Sequence, residues 1–167
     1  MPNTYTLIAS STVGSGGAAN VDLTSIPATY TDLVLVFSAR SLRATTVEGI
    51  YLYFNNDTTN GNYSYKRLQG TGSAAASDSS ILVEPGASAT ASTFGNASVY
   101  VPNYTGSNQK SFSGDAVTEN NATGAEAVLL AGKWSGTSAI TSIKLVPESA
   151  NNFAQYSTFY LYGIKNS

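Results

Sequence analysis

Apolar and polar residues alternate over short runs along this chain, and the runs are broken by clusters of Gly, Pro, Asn, Ser and Thr, which is the pattern of strands joined by turns. Residues 5–12 and 18–26 predict two strands. The segment Val13-Gly14-Ser15-Gly16-Gly17 between them predicts a hairpin, because its glycines enter the left-handed region without a steric penalty. Pro27 cannot donate to a ladder, so a corner follows. Residues 33–40, Leu-Val-Leu-Val-Phe-Ser-Ala-Arg, form the most continuously apolar run and predict a central strand covered on both faces. Residues 48–54 and 62–69 predict a second hairpin around Asn55-Asn56-Asp57-Thr58-Thr59-Asn60-Gly61, with Asn60-Gly61 as its left-handed pair. Small residues dominate 70–76 and 86–92, so a short strand at 80–84 would lie on a long surface excursion. Further strands are expected over 96–101, 110–118, 125–134 and 139–146, with Pro147 ending the last of these. Only residues 122–131 come near a helix, and Gly124 and an incomplete apolar stripe argue against one.

The closing run 155–164 is apolar on both pleat faces. Tyr156, Thr158, Tyr160, Tyr162 and Ile164 share one face, while Ser157, Phe159, Leu161 and Gly163 share the other. Phe159 and Leu161 are assigned to the internal core. Tyr156, Tyr160 and Tyr162 then need cover from elsewhere, and are candidates for a subunit contact. A second aromatic set comprises Tyr51 and Tyr53 with Tyr63, Tyr65 and Arg67. If the two tyrosine faces align, four rings line one surface, which is either a binding face for glycans or a protein partner, or simply a second core face. Arg40 and Arg43, two of three arginines, mark a strand end that is either solvated or paired across a subunit contact.

Taken together, these elements make an all-β chain: one antiparallel β-sandwich domain over residues 1–167, a jelly roll of about eight to ten strands. Composition narrows the function. Only 11% of residues are charged and the net charge is −2, with Lys and Arg scattered singly, so no basic stripe offers phosphates multiple contacts and no nucleic-acid partner is expected. No apolar run approaches a membrane span, and the first residues lack the basic and apolar regions of a signal peptide, so no membrane partner is expected either. The sequons at Asn56, Asn62, Asn96, Asn103 and Asn121 are read as by-products of abundant Asn, Ser and Thr.

Chemistry is constrained by what is missing. The chain has no His and no Cys, which removes the usual general base, the thiol nucleophile and the commonest metal ligands. No phosphate-binding loop occurs, since Gly14-Ser15-Gly16-Gly17 sits between strands and opens no helix. Asp115 and Glu119, four apart on a strand, would stand some 13 Å from one another, beyond the ~5–10 Å of a glycosidase pair. Asn55, Asp57 and Thr59 alternate oxygens loosely as a calcium loop does, but the closing Glu is missing and a turn accounts for them. No catalytic residue, metal site or cofactor is assigned, and a non-enzyme is expected.

Tyr5-Thr6-Leu7-Ile8, Ser25-Ile26-Pro27-Ala28-Thr29-Tyr30-Thr31-Asp32-Leu33, Ser38-Ala39-Arg40-Ser41, Pro102-Asn103-Tyr104, Glu119-Asn120, Tyr156-Ser157-Thr158 and Leu161-Tyr162-Gly163-Ile164 together resemble a group of small virion structural proteins of tailed bacteriophages, many of them from cyanobacterial and other aquatic phages. The resemblance spans nearly the whole chain. It implies a β-sandwich module that decorates the capsid as a homotrimeric cement protein on the major capsid protein, made in the host cytoplasm and located on the virion surface. The alternative it leaves open is a tail-fibre or receptor-binding module for host-surface carbohydrate. It brings no catalytic residues.

Overall fold

A computed structural model describes residues 4–71, 81–119, 121 and 124–165, and the backbone of 75–78. The strands are β1 (Tyr5–Thr12), β2 (Val21–Leu23), β3 (Asp32–Ala39), β4 (Val47–Phe54), β5 (Tyr63–Gly70), β6 (Ala75–Asp78), β7 (Leu82–Pro85), β8 (Gly95–Val101), β9 (Lys110–Glu119), β10 (Ala125–Trp134), β11 (Ile143–Pro147) and β12 (Thr158–Ile164). They build two antiparallel sheets, one in the order β1-β12-β3-β8-β9-β10-β5-β6 and the other β2-β11-β4-β7. Setting aside β5, β6, β9 and β10 leaves β1-β12-β3-β8 facing β2-β11-β4-β7. Along those eight strands each step crosses between sheets, except β4 to β7, which pair with one another. This is the jelly roll. The other two strand pairs are inserted between β4 and β7 and between β8 and β11, and both extend the first sheet beyond β8, which carries the described strand count from the expected eight to ten up to twelve.

The period-2 pattern sets the inner faces. Leu33, Leu35 and Phe37 on β3 and Phe159 and Leu161 on β12 are at most 2% exposed, and they pack with Phe54, Leu82, Ile143, Leu145 and Phe153 into one core. Phe159 stacks on Phe37 at 5.5 Å and meets the edge of Phe153 at 5.0 Å. Phe159 and Leu161 therefore stand where the pattern of the closing strand places them.

Several expectations are overturned. Residues 5–12 and 18–26 do not pair: β1 joins β12 while the much shorter β2 joins β11 in the other sheet. Val13–Gly17 is instead a crossing, anchored where Val13 N–H donates to Ser157 O and Val13 O accepts from Tyr156 N–H, both at 2.9 Å. Gly17 sits at φ 70° there, and a Cβ on it would lie 2.9 Å from Phe153 O. Nor do β4 and β5 form a hairpin, since they belong to opposite sheets. The left-handed residues after β4 are Asn55 and Asn56 (φ 53° and 56°), and Asn60–Asn62 is a short 3-10 turn. Asn55 prevails because its side chain accepts from the N–H groups of Thr141 (2.7 Å) and Ser142 (3.2 Å) and donates to Ala139 O (2.8 Å), tying β4 to the entry of β11.

The strand expected over 80–84 is Leu82–Pro85, and all four residues are buried, so this stretch runs through the sandwich rather than over its surface; Ser80 lies outside the described residues. Residues 139–142 precede β11 without joining it, because Ile140 N–H is taken by Tyr104 O at 3.0 Å. β12 starts at Thr158, since Tyr156 adopts φ 73° and turns the chain out of extended geometry. β3 is covered on one face only: Val36, pointing outward, is 40% exposed. Among the described residues no helix is long and apolar enough to cross a membrane.

Candidate functional site

The uncovered side of β3 belongs to a broad face. Composing the strand registers gives a row Leu7–Tyr162–Val34–Tyr100–Ser113–Ala131–Lys66 and beside it a row Ser10–Tyr160–Val36–Ser98–Asp115–Leu129–Leu68. All of these side chains point away from the small sheet. Of the ten large apolar side chains recorded as exposed among the described residues, eight stand here: Tyr5, Leu7, Tyr160, Val36 and Tyr100 on the β1-to-β8 half, and Val117, Leu129 and Leu68 on the β9-to-β5 half. Leu68 and Leu129, direct cross-strand partners, are each 62% exposed. A groove of about 800 Å³ runs along this face between β8 and β5, with Tyr100 and Ser98 on one side and Lys66 and Leu68 on the other.

Two carboxylates on the face, Asp115 and Asp32, have fixed partners. Asp115 accepts from Ser98 Oγ at 2.5 Å. Tyr100 donates its hydroxyl to Asp32 at 2.8 Å, and this bond raises the phenol's pKa; the other Asp32 oxygen takes Asn103 N–H at 2.8 Å, so the ring is held rigidly. Asp115 and Glu119 have separate hydrogen-bond partners. Glu119 is engaged by Thr93 Oγ1 (2.8 Å), Thr90 N (2.8 Å) and Asn121 N (2.6 Å), and these bonds, Thr93's foremost, hold its carboxyl below the usual range. Asp57 is likewise spent. It accepts from Trp134 Nε1 (2.8 Å), Asn62 Nδ2 (2.8 Å) and Thr59 N (3.1 Å), which lower its pKa and leave the loop organised as a turn. Among the described residues no three acidic side chains gather as metal ligands.

Tyr160 and Tyr162 lie on the open face, Tyr162 with its ring edge-on to Tyr5 at 6.4 Å. Tyr156 is 67% exposed on the turn before β12, so none of the three is enclosed in the sandwich. Arg40 is neither solvated nor available to a sister subunit. It is 8% exposed and donates to the carbonyls of Thr90 (2.8 Å), Thr93 (3.0 Å), Ala89 (3.2 Å) and Ala87 (3.3 Å). Arg43 pairs within the chain with Glu48 at 3.2 Å.

The four tyrosines do come together, but by facing one another across the two sheets rather than in a hairpin. Tyr51 stacks on Tyr53 (5.8 Å), Tyr53 meets Tyr63 edge-on (5.7 Å) and Tyr63 stacks on Tyr65 (5.9 Å). Tyr53 and Tyr63 are buried, and Tyr51 and Tyr65 half-buried, so the ladder is a core seam; Arg67 donates to Gln69 Oε1 at 2.5 Å and Ile81 O at 3.3 Å. Burial pushes the Tyr63 and Tyr65 hydroxyls far above their ordinary pKa. Tyr63 Oη accepts Phe54 N–H at 2.8 Å. Tyr63→Phe should therefore strand a buried donor and destabilise the fold by about 1–3 kcal/mol, whereas Tyr51→Phe, whose hydroxyl meets exposed Glu148 at 3.3 Å, should change little; paired thermal melts test the contrast.

The sequence points to the Tyr160 and Tyr162 side of the open face, and its β9-to-β5 half is the part not anticipated. Its signal was the Val128-Leu129-Leu130 run, which puts a leucine on each side of β10, and Leu68 sharing a side with Ser64 and Lys66. In comparisons with protein-family models, curated proteins and solved structures, the chain matches none.

Proposed function

We propose that this chain is a non-enzymatic structural protein of a tailed-phage virion, a capsid decoration protein that stabilises contacts between major capsid protein subunits. The observation that carries the reading is the open face of the large sheet, with eight large apolar side chains. Large apolar side chains gathered on one exposed sheet face mark an interaction surface. The β1-to-β8 half, with Tyr5, Leu7, Tyr160 and Val36, suits a flat protein surface: its large exposed side chains are aromatic or branched and its strands carry no exposed charge. The phage assignment rests on the resemblance of the sequence. Carbohydrate recognition by the tyrosine ladder is the weaker reading, because its two central rings are buried.

The test is to add the purified protein to undecorated capsids and measure bound stoichiometry and rupture temperature. Stoichiometric binding with a raised rupture temperature is expected, and Tyr160→Asp should lose both while keeping its own melting profile. Absence of binding overturns the reading.

A further inference from the structure

We infer that the groove on the β9-to-β5 half is a self-docking surface, closed by a second copy of this chain turned through a two-fold axis so that each Asp115 faces the other copy's Lys66. This goes beyond the capsid reading and uses the other half of the face. The argument starts from charge. Asp115 lies beside exposed Leu129 in the groove, and its one contact among the described residues is the hydroxyl of Ser98. Covering it with apolar surface alone would strand a carboxylate, and a cation on the covering surface is its strongest complement. Lys66 stands on the groove wall and makes no ion pair with another described residue, whereas Arg67, which also lines the groove, turns its guanidinium to Gln69 and to Ile81 O.

Register fixes where these two groups stand. Asp115 pairs with Leu129, Leu129 with Leu68, and Lys66 is two residues before Leu68, so Lys66 lies two strands across and two residues along from Asp115. On sheet spacings that is about 10 Å sideways and about 7 Å lengthwise. The midpoint falls on β10 between Leu129 and Ala131. A two-fold axis parallel to the sheet, raised above that midpoint on the open side and perpendicular to the line joining the two residues, exchanges the two positions. It lays Asp115 on the partner's Lys66 and Lys66 on the partner's Asp115, and brings Leu68 over the partner's Leu129. One surface thus carries both halves of a charge pair and both halves of an apolar contact, which is the condition for an isologous interface.

The size is small. The three strands β9, β10 and β5 at about 4.8 Å by up to ten residues at about 3.3 Å give roughly 500 Å² per copy and roughly 1,000 Å² in total, the size of a weak, reversible interface. The pairing is therefore expected at micromolar concentrations, and it is two-fold rather than the three-fold assembly that the resemblance implies.

The experiment is sedimentation of the full chain over ~1–100 μM, with melting profiles as the folding control. The wild type should pass from monomer to dimer. Asp115→Lys and Lys66→Asp, each creating a like-charge contact, should each weaken the dimer at least tenfold, and the double variant should recover to within about threefold. Leu129→Asp should leave a monomer. A wild-type monomer throughout, a trimer, single variants without effect, or a double variant without recovery overturns the proposal, including the case in which a saccharide or another protein fills the groove. Capsid binding is read separately, so either result can fail alone.

Discussion

Arg40→Ala is expected to destabilise the protein by about 3–5 kcal/mol, because hydrogen bonds to a charged donor contribute roughly 1.5–3 kcal/mol each and water replaces only part of what is lost. The guanidinium, at the end of β3, gathers the carbonyls of Ala87, Ala89, Thr90 and Thr93, so one side chain satisfies acceptors of a whole connection. From the other side Glu119 holds Thr90 and Thr93, and the backbone N–H of Arg40 itself donates to Ser157 Oγ. Arg40→Lys should recover less than half of the loss, since a single ammonium cannot reproduce the planar fork that reaches carbonyls on two sides. Arg40→Met keeps the aliphatic stem and should resemble alanine, which separates lost hydrogen bonds from lost packing. Denaturant unfolding of the three variants measures this; a loss below about 1 kcal/mol for Arg40→Ala would show that water fills the site freely.

That arginine also marks the limit of what the chain discloses by itself. Strand positions were legible wherever alternation is strong: 5–12 and 125–134 coincide with β1 and β10, and 33–40 differs from β3 by one residue at each end. The two-layer arrangement follows from them. Pairing was less legible, because a period of two says which face a residue takes and nothing about which strand lies beside it. Both expected hairpins failed for that reason, their strands crossing to opposite sheets as the jelly roll demands. Asn60-Gly61 and Asn55-Asn56 are equally capable of left-handed geometry. What decides between them is the reach of Asn55 to the backbone at 139–142, more than eighty positions away. The tyrosines met as expected but through a different geometry, and the groove depends on register across four strands, which no single segment contains.

Glu84→Leu should raise stability by about 1–3 kcal/mol near neutral pH, because burying an unpartnered polar group costs that much in protein interiors. Glu84 is fully buried on β7 and neither carboxyl oxygen has a hydrogen-bond partner. Its register partner is Glu48, which is itself engaged by Arg43 Nη1 at 3.2 Å and Ser149 N at 2.8 Å. Burial first, and the charge on Glu48 second, push the Glu84 carboxyl well above its ordinary pKa, so the folded state keeps this proton after the unfolded chain has released it. The stabilisation from the retained proton is complete below the unfolded value near pH 4.3 and is lost as pH rises toward the folded value, at up to about 1.4 kcal/mol per pH unit. Asp57 and Glu119, whose pKa values are lowered, act oppositely: their contribution is present above about pH 4 and is lost as pH falls below it. Wild-type stability should therefore peak in mild acid and decline as pH rises above it. Glu84→Gln, which keeps the shape without the titration, should flatten that alkaline decline and leave the acid limb unchanged. Unfolding free energies of wild type and Glu84→Gln between pH 4 and 9 decide it, and parallel curves would mean that the alkaline decline has another source.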